Sequence, residues 1–351
     1  MAARTAAVHD LVISALDRLT DDAVTITFEV PPDLREAYAF RAGQHVTLVG
    51  EDGVRRSYSL CVSPNSGLLR IGVKQLPGGA FSQGVLPHLS VGDRLPVMTP
   101  SGTFGVDPAA SRRLVGIAAG SGITPILSIV TSVLEDEPGS SVVLVVANRT
   151  QRSVMFADEI ADLKDRYPTR VQVLHVLSRE EQEVELLSGR IGAERLRALL
   201  PLLGPVEEID DWCLCGPLEL VVELREFLTG LDTGRVHTEL FHAEPVARAE
   251  VTSLQVDDGA AEVSLRLEGR TTQLRLRPDG PSVLEAALAV RPELPFACKG
   301  GVCGTCRARV VEGTVVMDAN WALEPEEMEA GYVLTCQSHP TSERLVLDYD
   351  A

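Results

Sequence analysis

Three cysteines stand close together near the carboxyl end of the sequence, and a fourth follows them. Cys298, Cys303 and Cys306 have the spacing Cys-x4-Cys-x2-Cys, and Cys336 comes after 29 intervening residues. Thiolates at this spacing are the ligands of a plant-type [2Fe–2S] cluster, because one tight loop and one separate segment together reach both irons. The pattern therefore predicts a centre that accepts and releases single electrons.

Three glycines lie in the same loop: Gly300, Gly301 and Gly304. Because they lack a Cβ, the backbone can pass close to a cluster and direct N–H groups at its sulfur atoms, which stabilises its negative charge. The alternative is a structural zinc site with four cysteine ligands, but such sites generally use two short Cys-x2–4-Cys knuckles. The spacing and the glycines together favour iron over zinc.

An arginine and a tyrosine alternate in a β-like segment of the first third. Arg56, Ser57, Tyr58 and Ser59 are consecutive, so a strand places Arg56 and Tyr58 on one face and the two serines on the other. A guanidinium matches phosphate oxygens, and a tyrosine ring can stack on a flat heterocycle. An ordinary surface arginine and core tyrosine would give the same pattern, so these residues alone leave a binding role open.

A glycine turn lies beyond the next strand. Residues 78–82 are Gly-Gly-Ala-Phe-Ser, and the turn at Gly79 leads through Phe81 and Ser82 into a predicted short helix. Such a turn is a ready anion site, because free N–H groups and the helix dipole point at the ligand. We therefore expect a phosphate-bearing ligand near this turn.

A second glycine turn lies in the middle third. The apolar run 113–119 is typical of a strand buried on both faces, and a helical pattern begins at Ile126. Strand, glycine turn and helix together place a pyrophosphate at a helix N-terminus. The residues of the turn that we assign to a dinucleotide are Gly120, Gly122, Ile123, Thr124 and Pro125. Pro125 stands where the dinucleotide fingerprint has its third glycine, so a generic βα turn stays open on these residues alone.

Further strand–helix units follow this turn. Segments 142–146, 171–177 and 212–215 are strand-like and alternate with helical stretches, which predicts a doubly wound parallel sheet. Ligands of such sheets bind beyond the carboxyl ends of the strands. The candidate binding residues at those ends are Asn148, Arg149, Ser178, Arg179, Cys215, Gly216 and Pro217.

The elements that must position these residues form three modules. Short β-like segments separated by turn residues fill the first third, and the last third has two alternating strands and then a helix for which Ser282 is the predicted N-cap. The predicted domains are an antiparallel β-barrel in residues 1–108, a doubly wound α/β domain in 109–242, a linker in 243–250 and a β-grasp domain in 251–351.

Composition narrows the partners and the compartment. The 351-residue chain is 45% hydrophobic and has a formal net charge of −18, which argues against binding to nucleic acid or to an anionic membrane surface. Four of its seven cysteines belong to the cluster pattern, and the odd remainder does not suggest a disulfide framework. There is no signal-peptide pattern and no apolar run of membrane-spanning length. We expect a cytoplasmic protein.

The flavin-side motifs resemble the signature of the ferredoxin–NADP reductase superfamily, through Arg56-x-Tyr58-Ser59 and Gly79-x-x-Ser82. The resemblance implies an FAD-binding barrel in which Arg56 and Ser82 hold the pyrophosphate. It implies that Tyr58 stacks on the isoalloxazine and that Ser59 lies near the flavin N5 edge. Two further residues are implied to contact the flavin, namely Val73 and Lys74.

The nicotinamide-side motifs resemble the same superfamily. Its members have Gly-x-Gly-Ile-Thr-Pro in place of the dinucleotide fingerprint, and the same motif begins here at Gly120. They also have a terminal Glu-x-Phe, which corresponds here to Glu239 to Phe241. The resemblance implies that Phe241 lies near the flavin ring. Ser178 and Arg179 are implied to bind the 2′-phosphate of NADPH, since this extra phosphate needs a cation. The alternative is that Arg179 only pairs with the neighbouring glutamates.

Three residues are candidates for catalytic roles: Ser59, Cys215 and Glu239. Cys213 and Cys215 form a Cys-x-Cys pair without a third or fourth ligand nearby, which argues against a metal. We expect Cys215 to face the nicotinamide pocket and Cys213 to lie in the core. Glu239 is the candidate for handling a proton near the flavin, and the seven histidines, scattered without a metal-ligand pair, are expected to be structural.

Three segments of the last third resemble a smaller family within this group of reductases. Segments 301–308, 317–327 and 331–340 closely resemble the reductase subunits of multicomponent phenylacetyl-CoA epoxidases, and the module order agrees. This implies an oxidoreductase that passes electrons from NADPH through FAD and a [2Fe–2S] cluster to a di-iron oxygenase component. The close alternative is the reductase of a Rieske-type ring-hydroxylating or steroid oxygenase. Other classes are a redox sensor and a zinc-stabilised interaction module.

Acidic residues dominate the last third. Residues 250–351 contain 17 Asp and Glu against 9 Lys and Arg, and four of the glutamates lie at 324, 326, 327 and 329. A solvated helix would explain them. The functional alternative is a docking face for a more basic partner.

Overall fold

The computed structural model describes residues 7–50, 55–76, 79–241 and 260–351. The predicted linker 243–250 and Gly78 lie outside these residues. The chain divides into two compact units, Val8–His242 and Ala243–Ala351 with Met1–Ala7, and each has its own hydrophobic core. Among the described residues, no helix is both long and apolar enough to span a membrane.

The first module is a six-stranded antiparallel barrel. Its strands are β1 (Val8–Thr20), β2 (Ala23–Glu29), β3 (His45–Val49), β4 (Arg55–Ser59), β5 (Leu69–Lys74) and β6 (Arg94–Met98). They pair in the order β4-β3-β6-β1-β2-β5. Leu60, just after β4, bridges to Ile71 on β5, and the Cys61 N–H donates to the Arg70 carbonyl at 3.0 Å. These contacts bring the two edges together, so the barrel closes beside the strand that carries the Arg-x-Tyr-Ser motif.

The second module is a parallel sheet with helical connections. Its elements are β7 (Arg113–Ala119), α1 (Ile123–Asp136), β8 (Ser141–Asn148), α2 (Ala157–Arg166), β9 (Val171–Leu177), α3 (Ala193–Leu203), β10 (Asp211–Pro217), α4 (Leu218–Thr229) and β11 (Arg235–Phe241). All five strands are parallel, in the order β11-β10-β7-β8-β9. The strand order reverses between β7 and β10, which is the place where an open α/β sheet forms a ligand crevice.

Polar contacts join the barrel to the α/β module. Ser128 on α1 donates to the Val62 carbonyl at 2.6 Å, and Ser63 donates to Glu135 at 2.6 Å. Because the barrel loop after β4 is bonded to α1 at two points, the two modules form one unit. Residues from β4, β5, β7 and β10 can therefore contribute to a single site.

The third module has the β-grasp architecture. Its elements are β12 (Ala261–Leu267), β13 (Arg270–Leu276), α5 (Val283–Leu288), β14 (Arg307–Glu312), β15 (Val315–Met317), α6 (Pro325–Glu329), β16 (Tyr332–Leu334), β17 (Ser338–Pro340) and β18 (Arg344–Asp348). Five strands form a sheet in the order β13-β12-β18-β14-β16, with β12 and β18 parallel. Ser282 caps α5 by accepting a hydrogen bond from the Glu285 N–H at 3.3 Å.

The predicted fold class is confirmed: an antiparallel barrel, a doubly wound α/β domain and a β-grasp domain. Several boundaries differ from the prediction. Helix α1 begins at Ile123 rather than Ile126, because Pro125 is tolerated in the first turn, where its missing N–H leaves no hydrogen bond unmade. The helical stretch predicted between segments 142–146 and 171–177 is α2, which begins at Ala157. The domain limits drawn from the sequence stay predictions.

Candidate flavin, nicotinamide and iron–sulfur sites

The four cluster cysteines lie together in two pairs. The Cys303 thiol donates to Cys298 and holds the pKa of Cys298 at about 6, while the Cys306 thiol donates to Cys336 and lowers the pKa of that thiol. Cys298 and Cys303 are half-buried, whereas Cys306 and Cys336 are buried. Two pairs of thiols fit two irons that each take two protein ligands. In the part of the chain that the structure describes, no three His, Cys, Asp or Glu side chains are grouped around a single-ion position.

Backbone N–H groups point at these sulfurs. The Gly300 N–H donates to Cys298 Sγ at 3.4 Å, and the Gly301 N–H donates to Cys336. Gly301 and Gly304 have φ values of +76° and +67°, a region that favours glycine. These donors would stabilise a negatively charged cluster, so the chemistry of the loop fits the [2Fe–2S] group.

Segment 318–323 packs against the cluster loop. The Trp321 N–H donates to the Gly301 carbonyl at 3.0 Å, and a Cβ on Gly301 would lie 3.1 Å from the Ala319 carbonyl oxygen. Gln337 donates to the Lys299 carbonyl at 2.9 Å, which ties the strand after Cys336 to the same loop. The residue that follows the fourth cysteine therefore binds the loop that carries the other three.

Aromatic rings face each other where the sequence predicts a flavin. The Tyr58 and Phe81 ring centroids are 5.5 Å apart and tilted by 51°. Arg56 is exposed on the same strand as Tyr58, and its guanidinium donates to the Arg55 carbonyl. An exposed arginine on the same strand as a half-buried tyrosine suits a ligand with a pyrophosphate and a flat heterocycle.

The glycine turn and strand β5 complete this face. Ser82 lies in a short π-helical turn, Ala80–Val85, and its Oγ accepts a hydrogen bond from the Leu76 N–H at 3.1 Å. A Cβ on Gly79 would collide with that oxygen, so glycine is needed for the turn to close. On β5, Val73 is buried, and Lys74 Nζ lies 3.4 Å from Asp22 Oδ2. Lys74 therefore already has a carboxylate partner.

A buried polar chain crosses between the barrel and the α/β module. Ser59 Oγ donates to Glu239 Oε2 at 2.8 Å, although the residues are 180 positions apart. Glu239 Oε1 lies 3.9 Å from His45 Nδ1, and His45 Nε2 lies 3.2 Å from Ser101 Oγ. All of these except Ser101 are at least nine-tenths buried. The structure thus brings two of the three predicted catalytic residues into contact and adds a histidine.

Burial shifts the pKa values of Glu239 and His45 in opposite directions. It raises the pKa of Glu239 to about 7, with the Ser59 hydrogen bond acting weakly against it, and it lowers the pKa of His45 to about 4. Between these values both groups are uncharged. A carboxyl that titrates near neutral pH can hold or release a proton under physiological conditions.

The third predicted catalytic residue, Cys215, lies beside Glu239. Cys215 is paired in register with Glu239 on β11 and with Ala118 on β7. Burial raises the pKa of the Cys215 thiol well above its ordinary value, and Glu239 adds to the effect. Cys213 is buried in the same core. Cys215 is therefore a neutral, soft side chain at the carboxyl end of β10 rather than a thiolate.

The second glycine turn closes tightly on β10. A Cβ on Gly122 would collide with the Cys215 carbonyl, and a Cβ on Gly216 would lie 2.8 Å from the Ala119 side chain. Ile123, Thr124 and Pro125 form the buried first turn of α1, Gly120 has a φ of +58°, and Pro217 ends β10 as an exposed residue. The turn and the end of β10 thus meet at the reversal of strand order, and Phe241 packs against the same core at the end of β11.

The predicted 2′-phosphate residues lie at the carboxyl ends of β8 and β9. The Ser178 N–H donates to the Asn148 carbonyl at 2.9 Å, and the Arg179 N–H donates to the Arg149 carbonyl at 2.8 Å. Both arginines are exposed, and neither forms an ion pair with Glu180 or Glu181 within the described residues. Glu180 instead accepts a hydrogen bond from the Gln151 N–H at 2.9 Å.

Sequence reasoning missed His45 and Gly72. His45 is the direct cross-strand partner of Ser59, so the register of the β3–β4 hairpin would have pointed to it. No signal in the sequence marks Gly72, because its φ is not positive and its role depends on what packs against it from the α/β module. Both belong to the junction between the modules.

Comparison with known proteins agrees with these three sites. Residues 10–105 match the oxidoreductase FAD-binding domain family, residues 117–226 the oxidoreductase NAD-binding domain family, and residues 265–341 the 2Fe-2S iron-sulfur cluster binding domain family. Cofactor identity therefore follows for flavin and cluster, and the zinc alternative is set aside.

Similar proteins extend over the whole chain. It is 43% identical over 350 residues, 98% of each chain, to one of the subunits of 1,2-phenylacetyl-CoA epoxidase from Escherichia coli strain K12. It is 34% identical over 97% of its length to the ferredoxin reductase component of 3-ketosteroid-9-alpha-monooxygenase of Rhodococcus rhodochrous, of which 96% is covered. The crystal structure of phthalate dioxygenase reductase has the same fold, with a TM-score of 0.60 at 22% identity over 97% of this chain and 98% of that one.

Proposed function

This chain belongs to the family of oxygenase reductase components that join FAD-binding, NAD-binding and 2Fe-2S domains in one polypeptide, and on that premise we propose that its acceptor is a phenylacetyl-CoA epoxidase oxygenase. The observation that carries the proposal is the 43% identity over 98% of both chains. When bound, FAD and the [2Fe–2S] cluster supply the conversion of a two-electron hydride donor into single electrons. All seven cysteines are free of disulfides, which suits a reducing cytoplasm.

NADPH is the proposed electron donor. Arg149 and Arg179 are exposed at neighbouring strand ends, joined through their backbones, and no acidic side chain among the described residues pairs with Arg179. Two exposed arginines whose backbones are bonded, with no carboxylate partner in the described part of the chain, favour a bound phosphate. Ser178 adds a hydroxyl donor at the same edge. This arrangement supports the 2′-phosphate role and argues against the alternative in which Arg179 serves the nearby glutamates.

The flavin side of the proposal assigns roles to the barrel residues. Arg56 would bind the pyrophosphate, Tyr58 and Phe81 would contact the isoalloxazine, and Gly79 and Ser82 would complete the turn around the phosphates. Support comes from the exposed guanidinium, the facing rings and the turn that leaves no room for a Cβ. Ser59 and Glu239 would hold a proton near the flavin, since the carboxyl titrates near neutral pH.

The partner would dock at the acidic end of the third module. Helix α6 begins after Glu324 and carries exposed Glu326 and Glu329, while Glu327 pairs with Arg307. Segment 318–323, which leads into α6, contacts the cluster loop through Trp321. Docking here would bring a basic partner close to Cys298 and Cys303, the two less buried of the four predicted ligands.

A charge reversal tests this docking face. Glu326→Lys should raise the KM for the oxygenase, and the effect should shrink at high salt because surface charges are screened. Glu343→Lys introduces the same charge change at another exposed position of the module and serves as the control. Equal effects of both substitutions would argue against a specific face on α6.

The acceptor itself is tested by reconstitution. The chain, loaded with FAD and iron, is mixed with NADPH and either a phenylacetyl-CoA epoxidase oxygenase or a Rieske-type 3-ketosteroid oxygenase. We expect NADPH oxidation coupled to product only with the first. Coupling with the second alone would favour the alternative function, a reductase of a Rieske-type oxygenase. The 34% identity to the steroid monooxygenase reductase supports that alternative. Failure to reduce any acceptor, artificial ones included, would favour a redox sensor.

A further inference from the structure

Strand β5 meets the α/β module at a residue without a side chain. Gly72 lies in the middle of β5, opposite Thr25 on β2. A Cβ built on Gly72 would lie 2.7 Å from Thr124 Cγ2 and 3.0 Å from Phe156 Cζ. Because the φ of Gly72 is not in the left-handed region, the backbone does not require glycine here. The two neighbouring side chains require it.

Thr124 approaches from the nicotinamide turn. It is 1% exposed, and its Oγ1 donates to the Ser121 carbonyl at 3.0 Å, which limits the rotation of the side chain. Its methyl group therefore stays directed at β5. The residues that follow Gly72 on the strand are Val73 and Lys74, which are assigned to the flavin. One contact thus links the strand of one cofactor to the turn of the other.

Phe156 approaches from the start of α2. Its φ of 60° and ψ of 33° are left-handed, which is unfavourable for a residue with a bulky side chain, and it is 1% exposed. The Arg70 guanidinium lies 5.8 Å from its ring centroid and 3.4 Å from Glu159 Oε1 on α2. The neighbours of the ring hold it against β5. Strained residues of this kind persist where the surrounding structure fixes them, and they cluster at functional sites.

We propose that Gly72 is a positioning residue for hydride transfer: its missing side chain lets Thr124 and Phe156 pack directly on β5 and so sets the separation of the flavin strand from the nicotinamide turn. The inference rests on the proposed positions of the two cofactors. Carbon atoms in ordinary contact are about 3.5–4.0 Å apart, so an alanine at position 72 must displace its neighbours by roughly 1 Å. A misplacement of about 1 Å can cost on the order of 100-fold in rate.

The decisive variant is Gly72→Ala in the full chain loaded with FAD and the cluster. Rapid anaerobic mixing with NADPH should show flavin reduction slowed about 10- to 100-fold. The dissociation constant for 2′,5′-ADP, a probe of the adenosine end alone, should stay unchanged, as should the FAD content. Gly230→Ala is the matched control, because a Cβ there would come no closer than 3.4 Å to any neighbour.

A second substitution supplies a rescue. Thr124→Ser removes the methyl group that a Cβ at position 72 would strike first, while the approach of 3.0 Å to Phe156 Cζ remains. G72A/T124S should therefore recover part of the lost rate, measured against T124S alone. The same pair should be coupled in thermal unfolding of the cofactor-free chain, with G72A lowering the midpoint and T124S raising it again in part. If G72A alone does not fold, folding of G72A/T124S supports the proposal and failure of both overturns it.

The outcomes separate this inference from the proposed function. Wild-type rates in G72A, or a defect that T124S does not relieve in rate or in unfolding, would overturn the positioning role. If the wild-type chain itself is not reduced by NADPH, the proposed function fails, whereas coupling of positions 72 and 124 in unfolding would still establish the packing contact.

Discussion

Ser59 on the barrel and Glu239 on the last strand of the parallel sheet share a hydrogen bond of 2.8 Å inside the protein. The bond joins two modules at the point where the flavin and the nicotinamide are proposed to meet. His45 lies on the other side of the same carboxyl, 3.9 Å away. Because both Glu239 and His45 are buried and titratable, the stability of this junction depends on pH.

Glu239 and His45 should contribute to stability with opposite pH dependence. The pKa of Glu239 rises from 4.5 to about 7 on folding, so its contribution is present below pH 4.5 and is lost as pH rises to 7. The pKa of His45 falls from 6.5 to about 4, so its contribution is present above pH 6.5 and is lost as pH falls to 4. Each shift corresponds to roughly 3 kcal/mol. Between pH 4.5 and 6.5 the two slopes largely cancel.

Single substitutions should reveal the pH dependence of stability that each of the two groups causes. In Glu239→Gln the free energy of unfolding should rise with pH between 4 and 6.5, and in His45→Gln it should fall between 4.5 and 7. Urea unfolding in a Trp321→Phe background, where Trp212 is the remaining tryptophan, reports on the α/β module. Parallel pH profiles for the two variants would contradict the assigned shifts.

Arg179→Ala should weaken NADPH far more than NADH. Losing hydrogen bonds to a charged phosphate costs about 1.5–3 kcal/mol, which is roughly 10- to 100-fold in kcat/KM. NADH lacks the 2′-phosphate, so its kcat/KM should hardly change. Steady-state reduction of an artificial acceptor measures both, and Arg35→Ala, at an exposed barrel position, is the control. An equal loss for the two nucleotides would refute the 2′-phosphate role.

Cys336→Ala should abolish the cluster and spare the flavin. Removing one of four ligands leaves one iron with a single thiolate, so we expect iron content to fall from about two per chain to near zero. Flavin reduction by NADPH should persist, because the FAD and NAD residues belong to the other compact unit. Cys61→Ala, a buried cysteine outside the cluster, should keep its iron. Loss of flavin reduction in C336A would show that the units do not function separately.

The hydrophobic pattern predicted the parallel sheet well, for a physical reason, while the cluster ligand set drawn from the cysteine spacing stays a prediction. The bounds of β7 match the near-continuous apolar run at 113–119, as expected for a strand buried on both faces. The bounds of β9 match the strand-like segment 171–177, although this edge strand is only partly buried. No bounds were predicted for helix α3, because Pro201 inside it interrupts the helical pattern.

Contacts between distant segments could not be predicted in the same way. The bond from Ser59 to Glu239 and the collision at Gly72 depend on how the barrel sits on the sheet, which no local pattern encodes. The family resemblance placed Ser59 and Glu239 near the flavin separately. Their contact with each other and with His45 became visible only in the folded chain.

Arg112 should be the most sensitive charged residue of the α/β module. Its side chain is 1% exposed and binds Glu137 and Asp211, each at 2.8 Å, next to the amino ends of β7 and β10. Burial opposes charge on both acids, yet hydrogen bonds from Arg112 and Ser140 to Glu137, and from His237 to Asp211, hold their pKa values below the usual range. Arg112→Met would leave two buried carboxylates without this partner. We expect a loss of about 3–5 kcal/mol in the free energy of unfolding, measured with urea at neutral pH.

The matched control for this network is Arg113→Met at the next position. Arg113 forms a single ion pair with Glu208 at 3.3 Å, with side chains 31% and 62% exposed, and donates to the Leu203 carbonyl at 2.9 Å. Removing both contacts should cost at most about 2 kcal/mol. Added salt should reduce the small effect of R113M and leave the large effect of R112M unchanged, because screening acts on exposed pairs. Similar losses for the two variants would mean that the buried network contributes no more than a surface pair.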